Sequence, residues 1–150
     1  MDSCQLLRLL PFEPPALYID GVTELSEQGA RGFKNVTITE PVFRGHFPGM
    51  PVMPGVLLLE ALEQLCWCLY RGRGLQLDNL SDDWQPLSLS LDLQAVDRLK
   101  FRKVVRPGDR LELEAQEIGA EGEERRLKVV AKVGDKVACE ALLTMRLQAE

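Results

Sequence analysis

The chain has one histidine, His46, in a loop that reads Gly45-His46-Phe47-Pro48-Gly49-Met50-Pro51-Val52-Met53-Pro54-Gly55-Val56-Leu57. An imidazole titrates near neutral pH and is the side chain most often used to move a proton in catalysis. Fourteen positions further on, a carboxyl group, Glu60, interrupts the apolar run Leu57-Leu58-Leu59-Glu60-Ala61-Leu62. Between the two, Pro54-Gly55 has the form of a helix start. The first N–H groups of a helix, here those of Gly55 and Val56, find no intrahelical acceptor and lie at the positive end of the dipole. One short segment thus holds a base, an acid and donors for a developing oxyanion. These parts suit abstraction of a proton alpha to a thioester carbonyl coupled to loss of a β-hydroxyl. His46 takes the proton, the helix start steadies the enolate-like oxygen, and Glu60, carrying a proton, hands it to the departing hydroxyl. Gln64 sits one turn beyond Glu60, where it either orients the carboxyl by a hydrogen bond or packs. Glu63 reads as a solvated or interface carboxylate.

Composition narrows the alternatives. The chain has 150 residues, 45% apolar and 27% charged, which suits one folded domain spanning residues 1–150. Its formal net charge of -5 argues against a general nucleic-acid binder, which needs surplus Lys and Arg for phosphate contacts. One histidine per chain excludes His-rich metal sites, and no metal or other cofactor is expected. Cys4, Cys66, Cys68 and Cys139 read as reduced packing residues. Met1-Asp2-Ser3-Cys4-Gln5-Leu6-Leu7-Arg8 lacks the form of a secretory signal, and no apolar run has membrane-spanning length, so a cytoplasmic protein without a membrane segment is expected. Ser3, Ser26, Ser81, Ser88 and Ser90 stand in no nucleophile-elbow context.

The elements that must position the chemistry follow from periodicity. Leu17–Val22 and Gly32–Thr39 suit two early strands. Four prolines between Pro41 and Pro54 make the histidine segment an ordered loop. Leu58, Ala61, Leu62, Leu65 and Leu69 recur at helical spacing, and Gly72 and Gly74 mark the exit. Val56, Leu57, Leu59, Cys66, Trp67 and Cys68 make that helix apolar almost all round, so other structure must wrap it. Four strand-like runs follow the polar loop before Pro86. They comprise Leu87 to Val105, Leu111 to Gln116, Arg126 to Val133 and Val137 to Leu147. The pattern predicts an α+β domain in which a curved, mostly antiparallel sheet wraps one long central helix. The exposed sheet edges predict self-association.

His46-Phe47-Pro48-Gly49, Pro51-Val52-Met53-Pro54-Gly55-Val56-Leu57 and Glu60 with Gln64 closely resemble the FabZ-type (3R)-hydroxyacyl-acyl-carrier-protein dehydratases. The resemblance extends to Lys34-Asn35-Val36-Thr37-Ile38-Thr39-Glu40-Pro41, Asp97-Arg98-Leu99-Lys100-Phe101 and Val105-Arg106-Pro107-Gly108-Asp109. It implies a hotdog fold and trans-2-enoyl thioester formation in fatty-acid or related polyketide or polyene synthesis. It also implies an acyl carrier protein as partner. The sites then form in a homodimer, alone or within a trimer of dimers, with His46 of one chain facing Glu60 of the other. Gly55, Val56, Gln64 and Phe47 are the residues expected to bind or orient substrate. The sibling FabA type has Asp where this chain has Glu60, and Glu favours plain dehydration. The chain departs from the pattern at Leu10-Pro11-Phe12-Glu13, at Cys66-Trp67-Cys68, and in a longer 75–86 loop with Leu91-Asp92-Leu93-Gln94-Ala95 beyond it.

Basic residues concentrate late in the chain. Arg98, Lys100 and Arg102 alternate with Leu99 and Phe101 and, with Lys103, suit either a solvated face or a docking patch for the acidic carrier protein. Two other readings are weighed against the dehydratase. One is an acyl-binding partner subunit without turnover, the other a hotdog thioesterase.

Overall fold

The structure is a computed structural model describing residues 1–150. From the N-terminus the chain forms α1 (Ser3–Leu9), β1 (Gly21–Leu25), β2 (Gly29–Asn35), α2 (Gly55–Arg71), β3 (Leu89–Phe101), β4 (Arg110–Glu121), β5 (Glu124–Val133) and β6 (Lys136–Ala149). Tight 3-10 turns occupy Pro41–Arg44 and Leu77–Asn79. The strands form one antiparallel sheet in the order β1-β2-β4-β5-β6-β3.

Strict alternation in the late strands fixes which face meets the helix. Leu111, Leu113 and Ala115 of β4, Leu127, Val129 and Ala131 of β5, and Cys139, Ala141, Leu143 and Met145 of β6 are all buried, while the residues between them keep exposure. The sheet curls so that α2 touches all six strands. Leu62, Leu65, Cys66, Cys68 and Leu69 of α2 are fully buried in a core of 32 residues. No helix is long and apolar enough to cross a membrane.

Four local findings depart from the sequence reading. The first strand begins four residues later than Leu17, because Tyr18 N–H donates to the Gln64 side chain instead of a neighbouring strand. The second ends at Asn35, where Val36 N–H turns to the carbonyl of Asp109 and Thr37 N–H to the carboxylate of Glu40. Helix α1 had no expected counterpart. Asp2 and Gln5 form a capping box that starts it, and it buries Leu6 and Leu9. Arg8, in its last turn, donates to the carbonyls of Asp82 and Trp84 and lies 4.6 Å over the Trp84 ring, fastening the 75–86 loop. Finally, the pairing register of β3 shifts between Asp97 and Lys100, with Arg98 at φ 51°. The bulge interrupts strict alternation, yet Lys100 stands opposite Glu140, Arg102 pairs with the same carboxylate and Arg98 borders the same shallow cavity, so the three basic residues gather on one face.

Candidate active site

The histidine loop is held by its own backbone. Phe47 and Met50 exchange N–H···O bonds of 3.1 and 2.9 Å, Val52 N–H donates to His46 O at 2.9 Å, and Gly49 takes φ +74°, which favours glycine. Met53 N–H donates to Val105 O at 2.8 Å, anchoring the loop to the segment after β3. Inside this ring, His46 Nδ1 lies 2.7 Å from Val52 O. A carbonyl oxygen only accepts, so Nδ1 carries the proton and Nε2 of the neutral ring keeps its lone pair. The ring is half-buried and stacks on Phe47 with centroids 4.1 Å apart. The loop thus fixes both tautomer and orientation of a base.

At the start of α2, Pro54 O accepts from Leu57 N–H at 3.0 Å and Leu58 N–H at 3.4 Å. The N–H groups of Gly55 and Val56 have no backbone acceptor, and no side chain caps the helix. Phe101 lies over this turn so closely that a Cβ on Gly55 would come within 2.7 Å of its ring. Phe47, Met50, Val56, Phe101 and Val104 are large apolar side chains, each about half exposed or more, and all stand on the histidine loop, the helix start or the end of β3. Apolar exposure of that density marks a surface meant to be covered.

Two turns into α2, Gln64 is fully buried and makes three hydrogen bonds. Its Oε1 accepts from Tyr18 N–H at 2.7 Å, and its Nε2 donates to Ala16 O at 2.7 Å and to Glu60 Oε1 at 3.1 Å. Gln64 therefore orients Glu60 rather than merely packing beside it. The 16–18 segment that holds Gln64 was missed by the sequence reading, since no motif marks a backbone pair aimed at a glutamine 46 residues away. Glu63 is half-buried, and its carboxyl is pushed up by burial and then by the charge of Glu60, against the pull of the Trp67 indole.

Within one chain His46 and Glu60 share no hydrogen bond, and neither lines any of the three larger cavities. The largest of these, about 780 Å³, lies near Tyr18, Lys34, Glu40 and Leu57. There Lys34, 4% exposed, pairs with Glu40 at 2.9 Å. Arg98, Lys100, Arg102 and Lys103 are all exposed. Arg98 and Lys100 border a shallow cavity of about 260 Å³ with Lys128 and Glu140. Arg102 instead pairs with Glu140 at 3.0 Å, and its hydrogen bond holds that carboxyl below the usual carboxylate range.

A family model described as a FabA-like domain matches residues 10–142. The chain belongs to the FabA-like family. Among curated relatives, the FabA-like chain is 43% identical over 150 residues to the 3-hydroxyacyl-[acyl-carrier-protein] dehydratase FabZ of Acidovorax sp. (strain JS42), covering 97% of this chain and 98% of that one. It is 41% identical over 142 residues to FabZ of Caulobacter vibrioides, covering 94% and 84%. Solved structures share its fold at low identity. The dehydratase heterocomplex ApeI:P of Xenorhabdus doucetiae superposes with a TM-score of 0.74 at 13% identity, over 97% of this chain and 91% of that one. A hypothetical thioesterase with coenzyme A from Streptococcus pneumoniae does so with a TM-score of 0.63 at 12% identity, over 86% and 85%. The hotdog fold of the FabA-like chain is thus shared by proteins with different chemistry, and its activity has to be argued from the site.

Proposed function

We propose that the protein dehydrates (3R)-hydroxyacyl thioesters carried on acyl carrier protein, giving trans-2-enoyl thioesters for fatty-acid or related synthesis. The observation that carries this reading is the Nδ1 bond of His46 to Val52 O, which leaves Nε2 as a base of fixed direction. Nε2 takes the proton from C2, and charge moves onto the thioester oxygen. The unpartnered N–H groups of Gly55 and Val56 supply the donors for that oxygen. Glu60, oriented by Gln64 and carrying a proton, donates it to the hydroxyl on C3, which leaves as water. The imidazolium then returns its proton to solvent and Glu60 regains one, which closes the cycle. The relatives named FabZ support the substrate class.

The site is completed by a second copy. Within one chain His46 and Glu60 share no hydrogen bond and neither lines the three larger cavities, and the half-exposed Phe47, Met50, Val56, Phe101 and Val104 offer the surface a partner would cover. Phe47 closes one wall of the substrate site. The exposed Arg98, Lys100 and Lys103, with Lys128 beside them, form the docking patch for the acidic carrier protein, and Arg102 contributes through its pair with Glu140. The enzyme acts in the cytoplasm, where its carrier-bound substrate is made.

The test is turnover of a 3-hydroxyacyl-carrier thioester by wild type, His46→Ala and Glu60→Gln, with dimer mass and melting temperature measured alongside. Each substitution is expected to lower kcat by about a thousand-fold, the scale of a lost general acid or base, with the dimer intact. Near-full turnover in either variant contradicts the assignment. Binding without turnover by the wild type identifies a partner subunit, and release of free thiol a thioesterase.

A further inference from the structure

Glu60 is not the only carboxyl on its face of α2. Glu63 follows three residues later, a spacing that sets the two Cβ atoms about 5–6 Å apart on one helix surface. Both residues are half-buried, and neither pairs with a Lys or Arg. The elements packed on the helix bring no counter-charge. Lys34 of β2 is taken up by Glu40, with the Tyr18 ring beside it, and Arg73 and Arg125 are taken up by Glu117 of β4. The thiols of Cys66 and Cys68 on α2 and of Cys139 on β6 are kept protonated by burial. The one donor turned toward Glu63 is the Trp67 indole N–H, which faces its carboxylate and favours the ionised form. Two neighbouring carboxyls without a cation repel each other when both are charged, so a proton on one is favoured by charge on the other.

We propose that Glu63 is a positioning residue for the acid, its negative charge keeping the proton on Glu60 at neutral pH. The inference rests on the dehydratase reading, in which Glu60 must hold a proton for the β-hydroxyl. Coulomb coupling is reciprocal. The charge of Glu60 strengthens the hold of Glu63 on a proton, so the charge of Glu63 acts on Glu60 by the same amount. The reacting form carries the proton on Glu60 and the charge on Glu63. Gln64 donates to Glu60 Oε1, which leaves Oε2 for the proton, while the Trp67 indole steadies the charge on Glu63. Each turnover sends the Glu60 proton out with the departing hydroxyl and leaves two carboxylates side by side. Their repulsion then favours uptake of a solvent proton, which readies the acid again.

The experiment measures kcat/KM between pH 5 and pH 9 for wild type, Glu63→Gln and Glu63→Asp, with a four-carbon 3-hydroxyacyl-carrier thioester as substrate. His46 is present in all three, so its own titration largely cancels in the ratio of wild type to variant. For Glu63→Gln that ratio should lie within about two-fold of one at pH 5 and climb to about ten-fold by pH 8, the effect of about one pK unit on the acid. Glu63→Asp keeps the charge and should stay within about three-fold of wild type throughout. A ratio that does not change with pH, as a packing loss would give, overturns the inference and leaves the dehydratase reading intact. So does a Glu63→Asp profile equal to that of Glu63→Gln. Carboxyl NMR reads the same coupling without turnover. Glu60 should complete its titration about one pH unit lower in Glu63→Gln than in wild type, and equal titrations overturn the inference. Absence of turnover by wild type defeats the dehydratase reading, and the NMR titration then decides the carboxyl pair by itself.

Discussion

The two ends of α2 are finished in opposite ways. At the C-terminal end, Gly72 N–H closes onto Cys68 O and Tyr70 O. The Tyr70 hydroxyl donates to Glu117 at 2.6 Å, and Arg73 and Arg125 reach the same carboxylate at 3.4 and 3.8 Å. Arg71 donates to Leu89 O and pairs with Glu150. Burial, with the Glu117 carboxylate, pushes the Tyr70 phenol well up, so it stays a donor. The Nε–H groups of Arg71 and Arg73 lack hydrogen-bond partners there. At the N-terminal end two backbone N–H groups have no backbone acceptor, no side chain caps the helix, and apolar side chains stand exposed. Uncovered apolar surface costs stability in a lone chain. Its concentration at one end, against an ion-pair network at the other, sets the proposed site apart from the part of the helix that holds the fold.

The comparison breaks most visibly if the C-terminal network also serves the reaction. Glu117→Ala removes the acceptor of Tyr70 and the carboxylate that Arg73 and Arg125 share, leaving Arg73 only its long pair with Glu27. It should cost about 2 kcal/mol in urea unfolding, less than for a fully buried pair because these side chains keep some exposure, with kcat unchanged in the folded fraction. A fall in kcat without a fall in stability would erase the division. Gly55→Ala tests the other end. The added methyl meets the Phe101 ring, which the proposed partner covers, so the dimer should lose about 1–2 kcal/mol, the scale of an overpacked contact. Turnover should also fall about ten-fold, because the ring shifts over the oxyanion donors. A stability loss with full turnover would make the close approach merely structural.

Glu63 sharpens the contrast with a smaller effect. Its folded pKa lies above the unfolded value, so the folded state holds a proton the unfolded chain releases. The cost of its charge is absent below the unfolded pKa, grows as pH rises through the folded pKa, and is fully present at neutral pH. Glu63→Gln should therefore raise the melting temperature at pH 7 and leave it unchanged at pH 3. An equal change at both values would assign the effect to packing.

The parts of the fold legible in the sequence are those set by a repeating pattern. Alternation in Leu111–Ala115, Leu127–Ala131 and Cys139–Met145 placed three strands, and the all-round apolar surface of Gly55–Arg71 placed the helix inside them. Helix α1 was missed although Asp2 and Gln5 carry a capping signal, because seven residues are too few for periodicity to show. The bulge at Arg98 was invisible for a related reason. An extra residue leaves composition intact while shifting the pairing register. At the site, the residue types of His46, Glu60 and Gln64 were readable. The Val52 carbonyl that sets the imidazole and the Ala16–Tyr18 backbone that grips Gln64 were not, because backbone groups look alike in every sequence.

The central claim is that each site takes His46 from one chain and Glu60 from its partner. It is tested most directly by mixing inactive His46→Ala and Glu60→Gln proteins after subunit exchange. A mixed dimer then joins the intact His46 of one variant to the intact Glu60 of the other in one of its two sites. With random exchange, activity should return to about a quarter of wild type. A mixture that exchanges subunits, shown by mass, and stays as inactive as its components would place both residues in a site within one chain.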